Sequence, residues 1–261
     1  MEIKGNAHFN NTLFQDGADF ILTKFNGDAY FISSKFNGEA DFDFSQFNRT
    51  AYFGNYFIFV SQSQFNGDAL FISTTFNGSV DFRSSKFNGN AYFLSSQFNS
   101  RYALFNGAMF NGDAYFMPSN LNPNLNRYAD IASSKFKGYA DFSSSSFNKT
   151  AAFASQFNDY ASFDGAMFNG DAYFSSEFNG DAYFWSSKFN GNAYFRNSQF
   201  NDTVDFRDSK LKTAFFEDTV FHSKSTLSLE RTEYNIIYED SYKPLSQSVV
   251  WKNLYTNNII I

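Results

Sequence analysis

The sequence predicts an all-β solenoid, a tube of very short strands wound into square coils. Three observations predict it. Phenylalanine recurs at alternating steps of five and six residues, as in Phe9, Phe14, Phe20, Phe25, Phe31, Phe36, Phe42, Phe47 and Phe53. A small residue stands two places before most of these rings, so inward positions alternate with a polar outward one, as along a strand. Each such unit runs at once into turn-forming residues, for example Asn26-Gly27 and Asn37-Gly38. A strand of about three residues is too short to pair alone and gains hydrogen bonds only by stacking on its equivalent one coil away. A fixed short period means that each unit buries its apolar face only against its neighbours.

Two pentapeptides alternate along the chain. One reads Ala29-Tyr30-Phe31-Ile32-Ser33 and again Ala40-Asp41-Phe42-Asp43-Phe44; the other reads Ser34-Lys35-Phe36-Asn37-Gly38 and again Ser45-Gln46-Phe47-Asn48-Arg49. One extra residue (Asp28, Glu39, Thr50) separates the second type from the next first type and makes the step of six. Four five-residue sides with two extra corner residues give a coil of 22 residues. The residue before Phe in the Ala-type unit runs Asp19, Tyr30, Asp41, Tyr52, so Asp19 is expected above Asp41 on one face and Tyr30 above Tyr52 on the opposite face.

This pattern resembles the pentapeptide-repeat family over roughly residues 7–221. The resemblance implies a right-handed quadrilateral β-helix, with Ala29, Ser34, Ala40 and Ser45 at the small inward site and Phe31, Phe36, Phe42 and Phe47 at the central inward site. The chain departs from the family pattern in using Phe almost throughout, and in the extra residue at alternate corners, two of which are expected to bulge slightly.

Taken in order, the β-helix is expected over residues 1–221. A bulge or small loop belongs between Phe53 and Phe65, through Tyr56-Phe57-Ile58-Phe59-Val60. A loop insertion is expected near 117–124, where Pro118 and Pro123 would each delete a ladder donor; the repeat then resumes at Leu125, with Ile131 and Phe136 in register. The pairs Phe153–Phe157 and Phe174–Phe178 read as trimmed corners. Past Phe221, residues 222–261 read as a partly helical tail, with a short helix near Leu245–Thr256. That tail either caps the exposed strand edges and Phe faces of the last coil or pairs two copies into a homodimer.

Composition narrows the function. With 39 Phe and 16 Tyr in 261 residues, one structural demand is being met repeatedly. A net charge of −6 argues against direct nucleic-acid binding, which needs clustered Lys and Arg. Without cysteine there is no disulfide, thiolate zinc site or cysteine nucleophile. No stretch is long and apolar enough to span a membrane, so a soluble, cytoplasmic protein is expected.

No catalytic constellation emerges. His8 and His222, the two histidines, should sit at opposite ends of the rod, which removes both a Ser-His-Asp triad and a two-histidine metal site. The corner acids Asp28, Glu39, Asp68, Asp113, Asp171 and Asp181 lack the calcium-binding nonapeptide signature and read as solvated corners. The Asn-Gly pairs read as turns that use positive φ. No enzyme activity, cofactor or metal is expected. The feature with functional colour is outward tyrosine: Tyr30, Tyr52, Tyr92, Tyr115, Tyr173, Tyr183 and Tyr194, of which Tyr173, Tyr183 and Tyr194 form the candidate interaction surface. The expected function is a non-catalytic scaffold presenting flat faces to a protein partner. The family resemblance implies one alternative, a DNA mimic that modulates a type II topoisomerase such as gyrase.

Overall fold

The computed structural model describes residues 1–54, 62–118, 134–222 and 225–240, and the backbone of 259–260. Every regular element among them is a β-strand, most of only two residues, and every pairing is parallel. Each strand pairs with the strand four places on in the regular coils: Ala29↔Ala51, Lys35↔Gln64, Ala40↔Ala69 and Lys24↔Gln46. Four stacks of strands result, which wall a tube of about ten coils. We number the walls in chain order: face 1 begins with Glu2–Ile3, face 2 with Ala7–His8, face 3 with Leu13–Phe14 and face 4 with Ala18–Asp19. Toward the C-terminal end the strands Lys188–Tyr194, Lys210–Phe215 and Glu233–Tyr238 run unbroken round the corner between faces 3 and 4.

Phenylalanine lines the axis. Phe25, Phe31, Phe36 and Phe42 make one level, all fully buried. Along each wall the rings stack nearly parallel, as Phe71 on Phe93 at 4.8 Å and 2°, the spacing that stacked strands impose. Across the axis, rings of faces 2 and 4 meet edge to face, as Phe31 and Phe42 do at 5.5 Å and 88°. The small site is closed as expected: Ala29, Ala40, Ser34 and Ser45 have essentially no exposure. Alanine or valine fills it on faces 2 and 4, with Leu227 and Ile237 in the last coil, whereas faces 1 and 3 mostly use serine or threonine. There the hydroxyl donates to a Phe carbonyl of the coil below, as Ser45 Oγ does to Phe20 O at 2.7 Å, so a buried polar group is satisfied.

The corners differ from the sequence expectation. At the five-residue steps the second residue after the inward ring, or after Leu229 in the last coil, takes the left-handed conformation (Ser33, φ 61°; Ser84, φ 56°; Arg231, φ 55°), and the next amide donates back to the carbonyl of that inward residue, as Ser34 N does to Phe31 O at 3.1 Å. Positive φ at the third position is the geometry of a type II turn. The six-residue steps, which carry Asn-Gly, fall at two opposite corners, and their glycines have no positive φ. Glycine is there for space: a Cβ on Gly89 would lie 2.4 Å from the carbonyl oxygen of Gly67 in the coil beneath. The asparagine beside it has a second role, since Asn88 donates to Asn66 Oδ1 (2.8 Å) and accepts from Asn111 (2.7 Å), one step of an amide ladder from Asn37 to Asn190. The trimmed corners after Phe153 and Phe174 lack the left-handed residue.

The insertions leave the register intact. Phe65 stacks on Phe36 at 4.8 Å although 29 residues separate them; the segment 56–60 lies outside the described residues. Phe136 stacks on Phe98 at 4.4 Å and is the next wall position after Phe116. Leu125 and Ile131, expected in register before Phe136, lie outside the described residues. At the other end the ladder runs on past Phe221. Leu227–Ser228 pairs with face 2, and Glu233–Tyr238 pairs with faces 3 and 4, with Leu227, Leu229, Tyr234 and Ile237 buried. Ile259–Ile260 adds one more strand to Ile236–Ile237, and the segment 245–256 lies outside the described residues.

Candidate functional site

The residue just before each Phe points outward, and the four walls differ sharply at that position. Faces 1 and 3 present mixed Lys, Gln, Met and Glu, as in Lys24, Gln46, Lys86 and Met109. Face 2 begins with the stack His8, Tyr30 and Tyr52, at 4.9 and 5.0 Å, and continues with Asp81, Leu104, Asp141, Ser162, Tyr183 and Asp205. Asp81 and Asp205 each hold the arginine two residues on, Arg83 and Arg207, at 2.5 and 2.6 Å.

Face 4 is apolar and aromatic along most of its length. From Leu70 on, the outward residues in register are Leu70, Tyr92, Tyr115, Ala152, Tyr173, Tyr194, Phe215 and Tyr238. Tyr173, Tyr194, Phe215 and Tyr238 stack at 4.7 Å per step, within 10° of parallel. Arg196 lies 4.7 Å over the Phe215 ring, its guanidinium anchored on Glu217 at 2.7 Å. Nearer the N-terminus, Leu70, Ile72, Tyr92 and Leu94 form an apolar cluster separate from the axial core, with Tyr115 and Met117 packed against it. One rung of this stripe is missing: Ala152 stands between Tyr115 and Tyr173, and a cavity of about 460 Å³ opens there.

Of the three tyrosines singled out from sequence, Tyr173 and Tyr194 stack on each other, while Tyr183 stands on face 2, on the opposite side of the tube. Sequence reasoning missed Phe215 and Tyr238. The signal was present, since 173, 194, 215 and 238 follow one another at nearly one coil's length.

The hydroxyls of Tyr115, Tyr173 and Tyr183 are held protonated. Burial, reinforced by the charge of Asp113, pushes Tyr115 up to about 12, and burial with Asp171 raises Tyr173. Tyr183 is pushed up to about 12 chiefly by donating to Asp181 at 2.6 Å. The corner acids have a structural partner one coil on. Asp28, Asp68 and Asp171 accept the backbone N–H of Thr50, Asn90 and Asn192 at 3.0, 2.8 and 2.9 Å. His8 lies in the first coil and His222 follows the last strand of face 1. Among the described residues no three His, Asp or Glu side chains gather to hold a metal. No helix among them is long and apolar enough to cross a membrane.

The family described as pentapeptide repeats, in nine copies, matches residues 5–55, 61–102 and 71–116. The chain belongs to the pentapeptide-repeat family. The coils built by residues 134–216 continue the same walls, so the pentapeptide-repeat architecture extends beyond the matched stretches. No curated protein matches the chain. A solved structure of QnrB1, a plasmid-mediated fluoroquinolone resistance protein, is similar across 92% of each chain at 13% identity, with a TM-score of 0.22. A likeness that slight carries no argument about what this protein binds.

Proposed function

We propose that this pentapeptide-repeat protein is a non-catalytic interaction rod that docks a protein partner on face 4. The observation that supports the reading is the outward stripe of stacked aromatic rings. Rigid tyrosines present large contact area at small entropic cost, and such rings dominate binding energy where they are desolvated. Faces 1 and 3 offer no comparable surface, and the acids of face 2 are partly neutralised by arginine.

The same features weigh against duplex mimicry and gyrase modulation. A mimic needs one contiguous acidic face, whereas here Lys24, Lys35, Lys86, Lys135 and Lys188 lie on the walls and the corner acids are spent on backbone N–H groups. We place the protein in the cytoplasm and assign no enzymatic role. The added strand at Ile259–Ile260 supports a capping role, rather than a pairing one, for the residues after Tyr238.

A photo-crosslinking residue at position 194 should yield one reproducible protein adduct in cells, and the same residue at position 183 should not. Equal labelling from both positions, or none from 194, would remove the reading. A gyrase supercoiling assay should show no effect at micromolar protein.

A further inference from the structure

The gap at Ala152 is more than a pause in the stripe. Tyr115 and Tyr173 both pair directly with Ala152, so their strands lie two coil spacings apart, or about 9–10 Å. The complete steps of this face set ring centroids 4.7 Å apart at Tyr173–Tyr194 and 5.4 Å apart at Tyr92–Tyr115. The space above the Ala152 methyl is thus one rung high: a single flat ring placed there meets a tyrosine on either side at the ladder's own spacing. An aliphatic body of greater thickness would not.

The surroundings say what else the occupant should carry. Met117, Thr150 and Ser175 line the rest of the cavity, and Ala154 and Ser175 also line a second, polar cavity of about 160 Å³. That second cavity lies at the trimmed corner, and Glu177 faces into it with its carboxylate taking one hydrogen bond, from Gln156 at 3.0 Å. Neither cavity is lined by lysine or arginine. Asp113 and Asp171 stand beside Tyr115 and Tyr173 and make the site more negative. The tyrosine faces attract cations as well.

We propose that this gap binds a small planar aromatic molecule bearing a protonated amine. Its ring completes the ladder between Tyr115 and Tyr173, and its amine reaches over the shortened corner toward Glu177. Binding there needs no protein partner, so its test stands apart from that of docking on face 4.

Tryptamine is a suitable probe, followed by NMR of protein labelled at the alanine and methionine methyls. Titration should move the Ala152 and Met117 methyls saturably, with the ring-current displacement largest at Ala152. Indole-3-acetate, with the opposite charge, and cyclohexylethylamine, with no flat ring, should each bind at least about tenfold more weakly. Ala152→Phe fills the rung from within, so it should abolish the tryptamine effect while melting no lower than the parent. Glu177→Gln should weaken tryptamine severalfold and leave the ring in place. No saturable shift up to about 10 mM tryptamine, or equal binding of the three probes to the parent protein, would overturn the proposal whether or not the variants fold.

Discussion

Gly89 separates two explanations of the same dipeptide. If Asn88-Gly89 were a turn needing positive φ, Gly89→Ala would carry the left-handed penalty, about 1–2 kcal/mol, and Gly89→Asn would recover most of it. The structure gives another cause. A Cβ on Gly89 falls 2.4 Å from Gly67 O, 2.5 Å from Gly67 C and 2.8 Å from Asp68 N, all backbone atoms of the coil beneath. Relief requires the two coils to part by about 1 Å, since non-bonded atoms settle near 3.5 Å. That displacement strains the flanking bonds Asn88 N to Phe65 O (2.7 Å) and Asn90 N to Asp68 Oδ1 (2.8 Å). Overpacking of about 1–3 kcal/mol and one or two weakened hydrogen bonds of about 1 kcal/mol each give a cost of about 2–5 kcal/mol. Asparagine should do no better than alanine. Gly107 supplies the contrast: its φ is +68° and its nearest neighbour, Ser84 Oγ, lies 3.4 Å from a built Cβ. There alanine should cost about 1–2 kcal/mol and asparagine appreciably less. Chemical denaturation of the four variants decides it. Rescue of position 89 by asparagine, or a stabilising Gly89→Ala of the kind seen where glycine is unneeded, would refute the close-approach argument.

Ala40 is fully buried between Ala18 and Ala69, so Ala40→Leu should lose about 1–3 kcal/mol in the same measurement through overpacking. Asn88→Ala removes two amide–amide bonds and should cost about 1–3 kcal/mol, whereas Asn190→Ala, at the end of its ladder, should cost about half as much. Alkaline titration should show Tyr115 and Tyr183 ionising late. Tyr115 is raised to about 12, above its ordinary 10, so its contribution to stability is whole below pH 10 and lost as pH climbs from 10 through 12. Unfolding midpoints measured across that window should fall, and Tyr115→Phe should flatten the decline.

Much of this molecule was legible because one requirement repeats. A ring in the axis at every wall forces Phe every five or six residues, and the strand alternation forces a small residue two places earlier. The 22-residue coil was readable from Asp19, Tyr30, Asp41 and Tyr52, whose alternation reproduces the observed register of Tyr30 on Tyr52 and Asp19 on Asp41. What was missed belongs to contacts between coils, which local patterns do not announce. Asn-Gly is a good turn signal, so the near-collision of Gly89 with Gly67 and the amide ladder went unread. Left-handed φ at Ser33, Phe44 and Arg231 has no residue signature, because the hydrogen bonds of the stacked turns fix it. Tyr183 was grouped with Tyr173 and Tyr194 by closeness in sequence, although half a coil puts it on the opposite wall. The end of the repeat was placed at Phe221 because leucine and tyrosine replace Phe at Leu229 and Tyr234.

The proposed docking face follows from the same arithmetic. Residues one coil apart stack, so a sequence that keeps tyrosine or phenylalanine at 173, 194, 215 and 238 writes a continuous aromatic stripe along one wall. A change at any one of them alters that stripe without touching the axis.

Pulsed electron spin resonance between paired labels tests the solenoid itself most directly, and a chain without cysteine makes labelling clean. Cysteines at positions 24 and 135, 24 and 177, and 24 and 199 lie on face 1, four, six and seven coils apart. At about 4.8 Å per coil the backbone separations are about 19, 29 and 34 Å. Label distances rising in that proportion are predicted. Distances that ignore the coil count, or a slope far from one strand spacing per coil, would contradict the stacked square tube on which every inference about its faces depends.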